Sequence, residues 1–330
     1  MSGITYVQPA HALQRALGAQ QLGQFVDSVM HAEMTKAKIP GAAFVFVQDG
    51  RIVYMKGYGQ ADVGRQKSVD PERTIWRIGS ISKAVTATAV MQLVDQGKLA
   101  LSDTVNRRLR SMKIAESFPT PITVRHLLTH SAGFDEVRPG TQASSRAGLL
   151  PLAAFLKPML RQVSPPGQFP VYTTYAPTVA GLLIEDVSRT SYASFLQKNL
   201  FAPLQMHRTS VGAVPDDLVA DAAIGYELVG DTLQPQPWEW YHTEPASSVN
   251  STAADMARYI MSLLGRGQLD GRRVLSTSSA LAMQRSALRA HPLVPAVTLG
   301  FWEDYVGSLH VVEHGGNMAG FSAQLTLIPS

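Results

Sequence analysis

None of the 330 residues is a cysteine, so disulfides, thiolate catalysis and cysteine-ligated metals are excluded at the outset. That absence leaves the compartment open, because exported and cytosolic proteins alike can lack thiols. No stretch approaches the ~20 apolar residues that a bilayer-spanning helix needs, so no membrane span is expected in the chain. Residues 1–21 show no long apolar segment of the signal-peptide type. Basic clusters are also missing. The net charge of +4 and pI of about 9.3 are spread thinly, with Arg107, Arg108 and Arg110 the densest group. A solvated surface accounts for that charge, and no nucleic-acid partner is expected. The nine histidines form no H-E-x-x-H or comparable spacing, so no metal is expected. Gly57, Gly59 and Gly64 form no dinucleotide fingerprint, and no cofactor is expected. No G-x-S-x-G elbow accompanies the His314-Gly315-Gly316 string, which removes an α/β-hydrolase reading.

What is present fits an ordinary globular chain: 45% hydrophobic, 16% charged, mean hydropathy +0.01. A helix is expected over residues 22–35, with Phe25, Val29 and Met30 on one buried face, stopped by Ile39-Pro40-Gly41. Residues 42–48 and 51–56 read as strands around the Asp49-Gly50 hairpin signal. A long helix follows over 80–96, ended by Gly97. From there to about residue 264 the pattern is mainly helical with long loops, including helices over 178–188 and 252–265. Strand character returns over 308–313 and 322–328, separated by a glycine-rich turn. The fold class is therefore α/β (α+β): an antiparallel sheet built from both termini and flanked by helices, with a largely helical lobe inserted. In one catalytic domain, the α/β lobe would take about residues 22–100 plus 295–330, and the helical lobe about 101–294. Trp238, Trp240 and Tyr241, within 234–245, read as packed loop aromatics rather than pocket walls.

Ser80-Ile81-Ser82-Lys83 is the first chemical candidate. Residues three apart share a helical face, so the Ser80 hydroxyl and Lys83 amine can come within hydrogen-bonding reach. A lysine kept in a partly dry cleft loses proton affinity and can serve as a base. The spacing alone is common by chance, and a capping serine followed by a solvated lysine produces it equally well.

Context decides between them. Arg77-Ile78-Gly79-Ser80-Ile81-Ser82-Lys83 closely resembles the active-site segment of the serine β-lactamase and penicillin-binding superfamily. It looks most like the class C β-lactamases and family VIII carboxylesterases. Ile39-Pro40-Gly41-Ala42 with Asp49-Gly50 resembles that family's opening hairpin. Thr123-Val124-Arg125-His126-Leu127-Leu128-Thr129-His130-Ser131-Ala132-Gly133 is similar to its I-T-x-x-x-L-L-T-H-T-S-G segment, and Pro203-Leu204-Gln205-Met206 to its PLGM turn. The resemblance runs from about residue 22 to the last.

The resemblance implies a serine hydrolase forming an acyl-enzyme on Ser80. Tyr172 corresponds to the tyrosine of the family's Y-x-N motif, with Tyr175 a weaker rival. Tyr172 would pass the Ser80 proton to the leaving group with Lys83, and which of the two is the base stays open. Thr174 stands in place of the usual Asn, a shorter residue with one donor instead of two. The third motif, normally K-T-G, reads His314-Gly315-Gly316 followed by Asn317. Gly315 and Gly316 would let the backbone pass close to a bound acyl group, with Thr174 and His314 as further substrate contacts. The backbone N–H groups of Ser80 and Asn317 would form the oxyanion hole. His314 lacks a permanent charge and is expected to donate a hydrogen bond to substrate or Tyr172. His126 and His130 are expected to cap a helix or fill the core.

The expected partner is a small-molecule ester or amide. A β-lactamase or D-amino-acid peptidase, a non-catalytic penicillin or peptidoglycan binder, and an acyl-transfer or cyclising enzyme remain alternatives. The residues themselves leave the compartment unknown; the resemblance implies a bacterial periplasmic or extracellular location. In the resembled fold, two strands and a C-terminal helix follow the third motif, and only one strand does here. A shortened form is expected, with two unpaired sheet edges, apolar Phe44, Val45 and Leu325 exposed, and a homodimer if another chain supplies the missing strand.

Overall fold

The computed structural model describes residues 18–329. Helix α1 (Ala19–Ala37) is closed by Lys38 in the left-handed conformation, whose N–H reaches back to the Met34 and Thr35 carbonyls. Its buried residues are Gly23 and Val26, while Phe25 and Val29 are exposed. The expected face is thus displaced by one residue, about 100° around the helix. Among the described residues, those up to Ile39 form one compact unit and those from Pro40 onward a second.

The second unit opens with the expected hairpin, β1 (Gly41–Gln48) and β2 (Arg51–Asp62). Asp49 and Gly50 both take positive φ, 53° and 71°, the backbone that a two-residue turn matching strand twist requires. A short β3 (Lys67–Ser68) extends this sheet on the β2 side. Next, β4 (Trp76–Arg77) leads into a 3-10 turn, Gly79–Ile81, which runs directly into α2 (Ser82–Asp95).

Helix α2 is buried at every position from Ser82 to Leu93. A helix that is enclosed on all sides carries little amphipathic pattern, and this one is the spine of the unit. Around it come α3 (Val124–Leu128), α4 (Tyr175–Ser188), the short α5 (Glu244–Ser247), α6 (Ala253–Leu264) and α7 (Thr277–Met283). Helices α4, α5 and α7 touch α2 directly. Buried donors and hydroxyls of α2 find partners on the segments packed around it, as a dry interior demands. Thr86 Oγ1 lies 2.6 Å from both Tyr192 Oη and the Pro245 carbonyl, and Thr88 Oγ1 lies 2.8 Å from Tyr259 Oη. Gln92 Nε2 donates to the Asn199 and Val274 carbonyls at 2.7 and 3.0 Å.

Strand β5 (Ser210–Val211) and β6 (Val249–Ser251) join β4 in a small sheet ordered β4-β6-β5. At the far end, β7 (Trp302–Val306), β8 (Leu309–Met318) and β9 (Phe321–Leu327) form a three-stranded antiparallel sheet. Both termini thus contribute antiparallel sheet, as two three-stranded pieces with no ladder between them among the described residues. Two expectations need correction. His314-Gly315-Gly316 is not a turn: β8 continues to Met318, and the reversal is Ala319-Gly320, with Gly320 at φ 72°. Leu325 is buried rather than exposed, because it shares with Leu327 the inward face of β9, and Phe44 and Val45 are half-buried.

Thr86→Val should destabilise the protein by about 1–3 kcal/mol, since it leaves the Pro245 carbonyl and Tyr192 hydroxyl buried with a partner lost. Urea denaturation followed by circular dichroism measures this. A variant as stable as the parent would show that these hydroxyl contacts do not hold α5 to α2.

Candidate active site

Ser80 is the middle residue of the 3-10 turn, where a helix start leaves N–H groups unpaired. One turn on, Lys83 Nζ lies 2.8 Å from Ser80 Oγ and 3.0 Å from the Ala246 carbonyl. Lys83 is 2% exposed. Burial pulls its pKa down to about 7, against the opposing pull of Glu136. At neutral pH a large share of the amine is therefore unprotonated and able to accept a proton. Ser82 points away from this pair. Its hydroxyl donates to the Gly79 carbonyl at 2.6 Å and accepts from Val249 N–H at 3.0 Å, pinning the turn to β6.

Tyr172 comes from the loop before α4, with its phenol against the Ser80 hydroxyl and the Lys83 amine 4.8 Å from its ring centroid. Partial burial raises its pKa, and the Ser80 contact acts in the opposite direction. Tyr175, by contrast, is the first residue of α4, is buried, and donates its hydroxyl to the Val137 carbonyl. Burial pushes its pKa up to about 12. Tyr172, not Tyr175, therefore faces the serine.

The loop carrying Tyr172 is fastened by Glu136, which no sequence pattern singled out. Glu136 Oε2 accepts from Thr173 Oγ1 at 2.7 Å and from Thr174 N–H at 2.8 Å. Its Oε1 accepts the Thr174 hydroxyl at 2.7 Å. The single donor of Thr174 is thereby committed within the protein.

On the other side of Ser80 runs β8. Met318 and Phe321 close the hairpin as a mutually hydrogen-bonded pair, so alternation directs the N–H groups of Met318, Gly316 and His314 toward β9. Those of Asn317 and Gly315 point away from β9. The β7 ladder ends at the Trp302–Glu313 pair, so strand pairing leaves Asn317 N–H free beside Ser80. Two glycines make the approach possible. Gly79 takes φ 52°, and a Cβ there would sit 2.8 Å from Asn317 N; a Cβ on Gly316 would collide with the Ile78 carbonyl oxygen. Gly316 thus serves contact between β8 and the turn and does not line the cleft, contrary to expectation, whereas Gly315 does line it.

His314 is 2% exposed, and its Nδ1 lies 2.7 Å from the Gly315 carbonyl. A carbonyl can only accept, so Nδ1 carries the proton and Nε2 of the neutral ring is an acceptor. Burial and the nearby Lys83 charge bring its pKa down to about 4. The expected hydrogen-bond donor toward substrate or Tyr172 is therefore an acceptor. Nε2 is buried without a partner among the described residues.

These groups border a cleft of about 920 Å³. Its walls come from the two loops flanking the site, with Glu136, Arg138 and Gln142 from one and Tyr241 and Thr243 from the other. Tyr241 is thus a wall residue, whereas Trp238 packs 4.7 Å from the Arg77 guanidinium. His126 caps α3 as expected: its Nδ1 accepts Thr123 N–H at 3.2 Å while Thr123 Oγ1 accepts His126 N–H. His130 instead stacks on Tyr172, with ring centroids 4.9 Å apart. Among the described residues no cluster of His, Asp and Glu could hold a metal ion, and no helix is long and apolar enough to cross a membrane.

A serine and lysine on the first turn of a buried helix, beside an antiparallel strand, mark the fold of the serine β-lactamase and penicillin-binding superfamily. The sequence profile of the Beta-lactamase family matches residues 26–330, and the chain belongs to that family. It is similar to Protein flp of Staphylococcus aureus strain COL, 27% identical over 312 residues that cover 93% of this chain and 60% of that protein. The chain thus spans about three fifths of that relative's length. It is also similar to penicillin-binding protein 4 of Amycolatopsis lactamdurans, 30% identical over 262 residues, 76% of this chain and 66% of that one. The octameric penicillin-binding protein homologue from Pyrococcus abyssi superposes with a TM-score of 0.80 at 28% identity, over 93% of this chain and 71% of that one.

The two glycines of β8 should respond differently to a methyl group. Gly316→Ala should force β8 away from Ser80, with a loss of about 1–3 kcal/mol in stability and slower labelling of Ser80 by a fluorophosphonate. Gly315→Ala meets only the far end of the Gln324 side chain, at 3.1 Å, and should keep parental stability. Thermal melts and labelling rates of the two variants check this, and equal behaviour would contradict the packing argument.

Proposed function

We propose that the chain is a serine hydrolase acting through an acyl-enzyme on Ser80, with small esters or amides as substrates. The observation that carries this reading is a buried Lys83 amine, with pKa near 7, 2.8 Å from the Ser80 hydroxyl. Ser80 Oγ attacks the substrate carbonyl while its proton passes to the Lys83–Tyr172 pair. The Ser80 and Asn317 N–H groups receive the oxyanion, a contribution of about 3–4 kcal/mol per donor in comparable sites. As the tetrahedral intermediate collapses, Tyr172 returns the proton to the leaving alcohol or amine. Water then attacks the acyl-enzyme carbonyl, gives its proton to the same pair, and Ser80 leaves with it.

Two features support esters over β-lactams. Thr174 cannot bind an acylamide with a side-chain amide, and its hydroxyl proton is held by Glu136. His314 offers a neutral acceptor where a carboxylate would need a cation. Arg138 does line the cleft, but on an exposed loop, where ion pairs contribute ~0–1 kcal/mol. A β-lactamase or D-amino-acid peptidase is the second reading, favoured by the penicillin-binding names of the relatives.

Ser80→Ala should abolish p-nitrophenyl butyrate turnover and fluorophosphonate labelling, and Tyr172→Phe should lower kcat by a factor of ~100 or more. Tyr175→Phe should matter far less. Retained labelling of Ser80→Ala would sink the nucleophile assignment.

Measured by kcat/KM, short-chain esters should exceed nitrocefin. Efficient nitrocefin hydrolysis with poor ester turnover would instead establish the second reading.

A further inference from the structure

We propose that His130 is a positioning residue for Tyr172, holding the phenol at the serine through three contacts from one side chain and its own peptide. The inference rests on Tyr172 being the residue that carries the proton.

The contacts converge on a single target. The His130 carbonyl accepts the N–H of Val171 at 2.8 Å, and its Nδ1 accepts the N–H of Thr173 at 3.3 Å. One residue thus holds the peptide groups on both sides of Tyr172. Its ring also lies on the Tyr172 ring, centroids 4.9 Å apart and planes inclined by 26°. Because Thr173 N–H donates, Nδ1 must be unprotonated, so the ring has to be neutral with its proton on Nε2. Burial and the Lys83 charge favour that same neutral form.

The surroundings fix His130 in turn. Trp302, the first residue of β7, stacks on the imidazole at 5.9 Å and 15°. Gly300 N–H, two residues earlier, donates to the Leu128 carbonyl at 3.0 Å, tying the end of α3 to the approach to β7. His130 takes φ 52°, a left-handed backbone uncommon outside glycine, although histidine tolerates it better than most residues. A histidine that merely filled the core would need neither that backbone nor acceptors on both flanks of one tyrosine. The phenol works only within hydrogen-bonding distance of Ser80, and misplacing a reacting group by about 1 Å can cost ~100-fold in rate.

The test is a double-mutant cycle on the full chain, reading kcat and KM for p-nitrophenyl butyrate in His130→Ala, His130→Asn, Tyr172→Phe and the two double variants. His130→Ala should lower kcat by ~10- to 100-fold, with KM changed less than about threefold. In the Tyr172→Phe background the same substitution should cost less than about threefold, because the group it positions is already gone. His130→Asn tolerates the left-handed backbone and keeps a side-chain acceptor but no ring. It should lose less than His130→Ala, and it replaces that variant in the cycle if the alanine form does not fold. Equal losses in both backgrounds, or no loss in the Tyr172 parent, would overturn the proposal. A Tyr172→Phe variant with full activity would overturn the proton assignment itself, and this inference with it.

Discussion

A lysine amine enclosed on all sides and 2.8 Å from a serine hydroxyl cannot keep an ordinary proton affinity. Removing an ammonium from water is costly, and the neighbouring carboxylate of Glu136 offsets only part of that cost. The chemistry available at the site depends on this one desolvation. It requires α2 to be buried along nearly its whole length, which in turn requires α4, α5 and α7 to wrap it and its threonines to find partners such as Tyr192, Pro245 and Tyr259 on the surrounding segments. The architecture of the helical part serves the protonation state of a single side chain.

The second constraint is proximity. Strand β8 must pass close enough to the 3-10 turn for Asn317 N–H to stand beside Ser80 N–H. That approach is closed to any residue with a Cβ at Gly316, and Gly79 must take a left-handed backbone besides. The third flank, the loop of Tyr172, has no secondary structure of its own and is held by acceptors instead. His130 takes the N–H groups of Val171 and Thr173, and Glu136 takes Thr174 N–H and both threonine hydroxyls. A loop held this way can present a phenol as rigidly as a helix would.

Much of this was legible beforehand. Asp49-Gly50 placed the hairpin because a two-residue turn needs positive φ twice. Ser80 and Lys83 met because three residues make nearly one helical turn, and His126 took one of the two roles read for it, capping α3. The errors have physical causes as well. Glycines read as turn signals unless something shows that a second chain segment passes alongside, so His314-Gly315-Gly316 looked like a reversal when it is a strand. The apolar face of α1 was misjudged by one residue, since Phe25, Val26, Val29 and Met30 permit more than one choice of stripe. Glu136 was not singled out, and His130 was given only a capping or core role, because an isolated carboxylate or imidazole carries no periodicity.

The sequence by itself determined what is local or motif-borne. It established a thiol-free chain, strands toward both ends with helices between them, the Ser80–Lys83 pair, and a resemblance that places Tyr172 and Asn317 near it. Tertiary structure alone decided the states of those groups. Whether Lys83 is charged depends on how many neighbours exclude water from it. Whether His314 donates or accepts depends on the Gly315 carbonyl in front of Nδ1, and whether Thr174 is free depends on Glu136 reaching it from another loop. Proton positions are set by distances between segments far apart in the chain, and no local pattern encodes those distances.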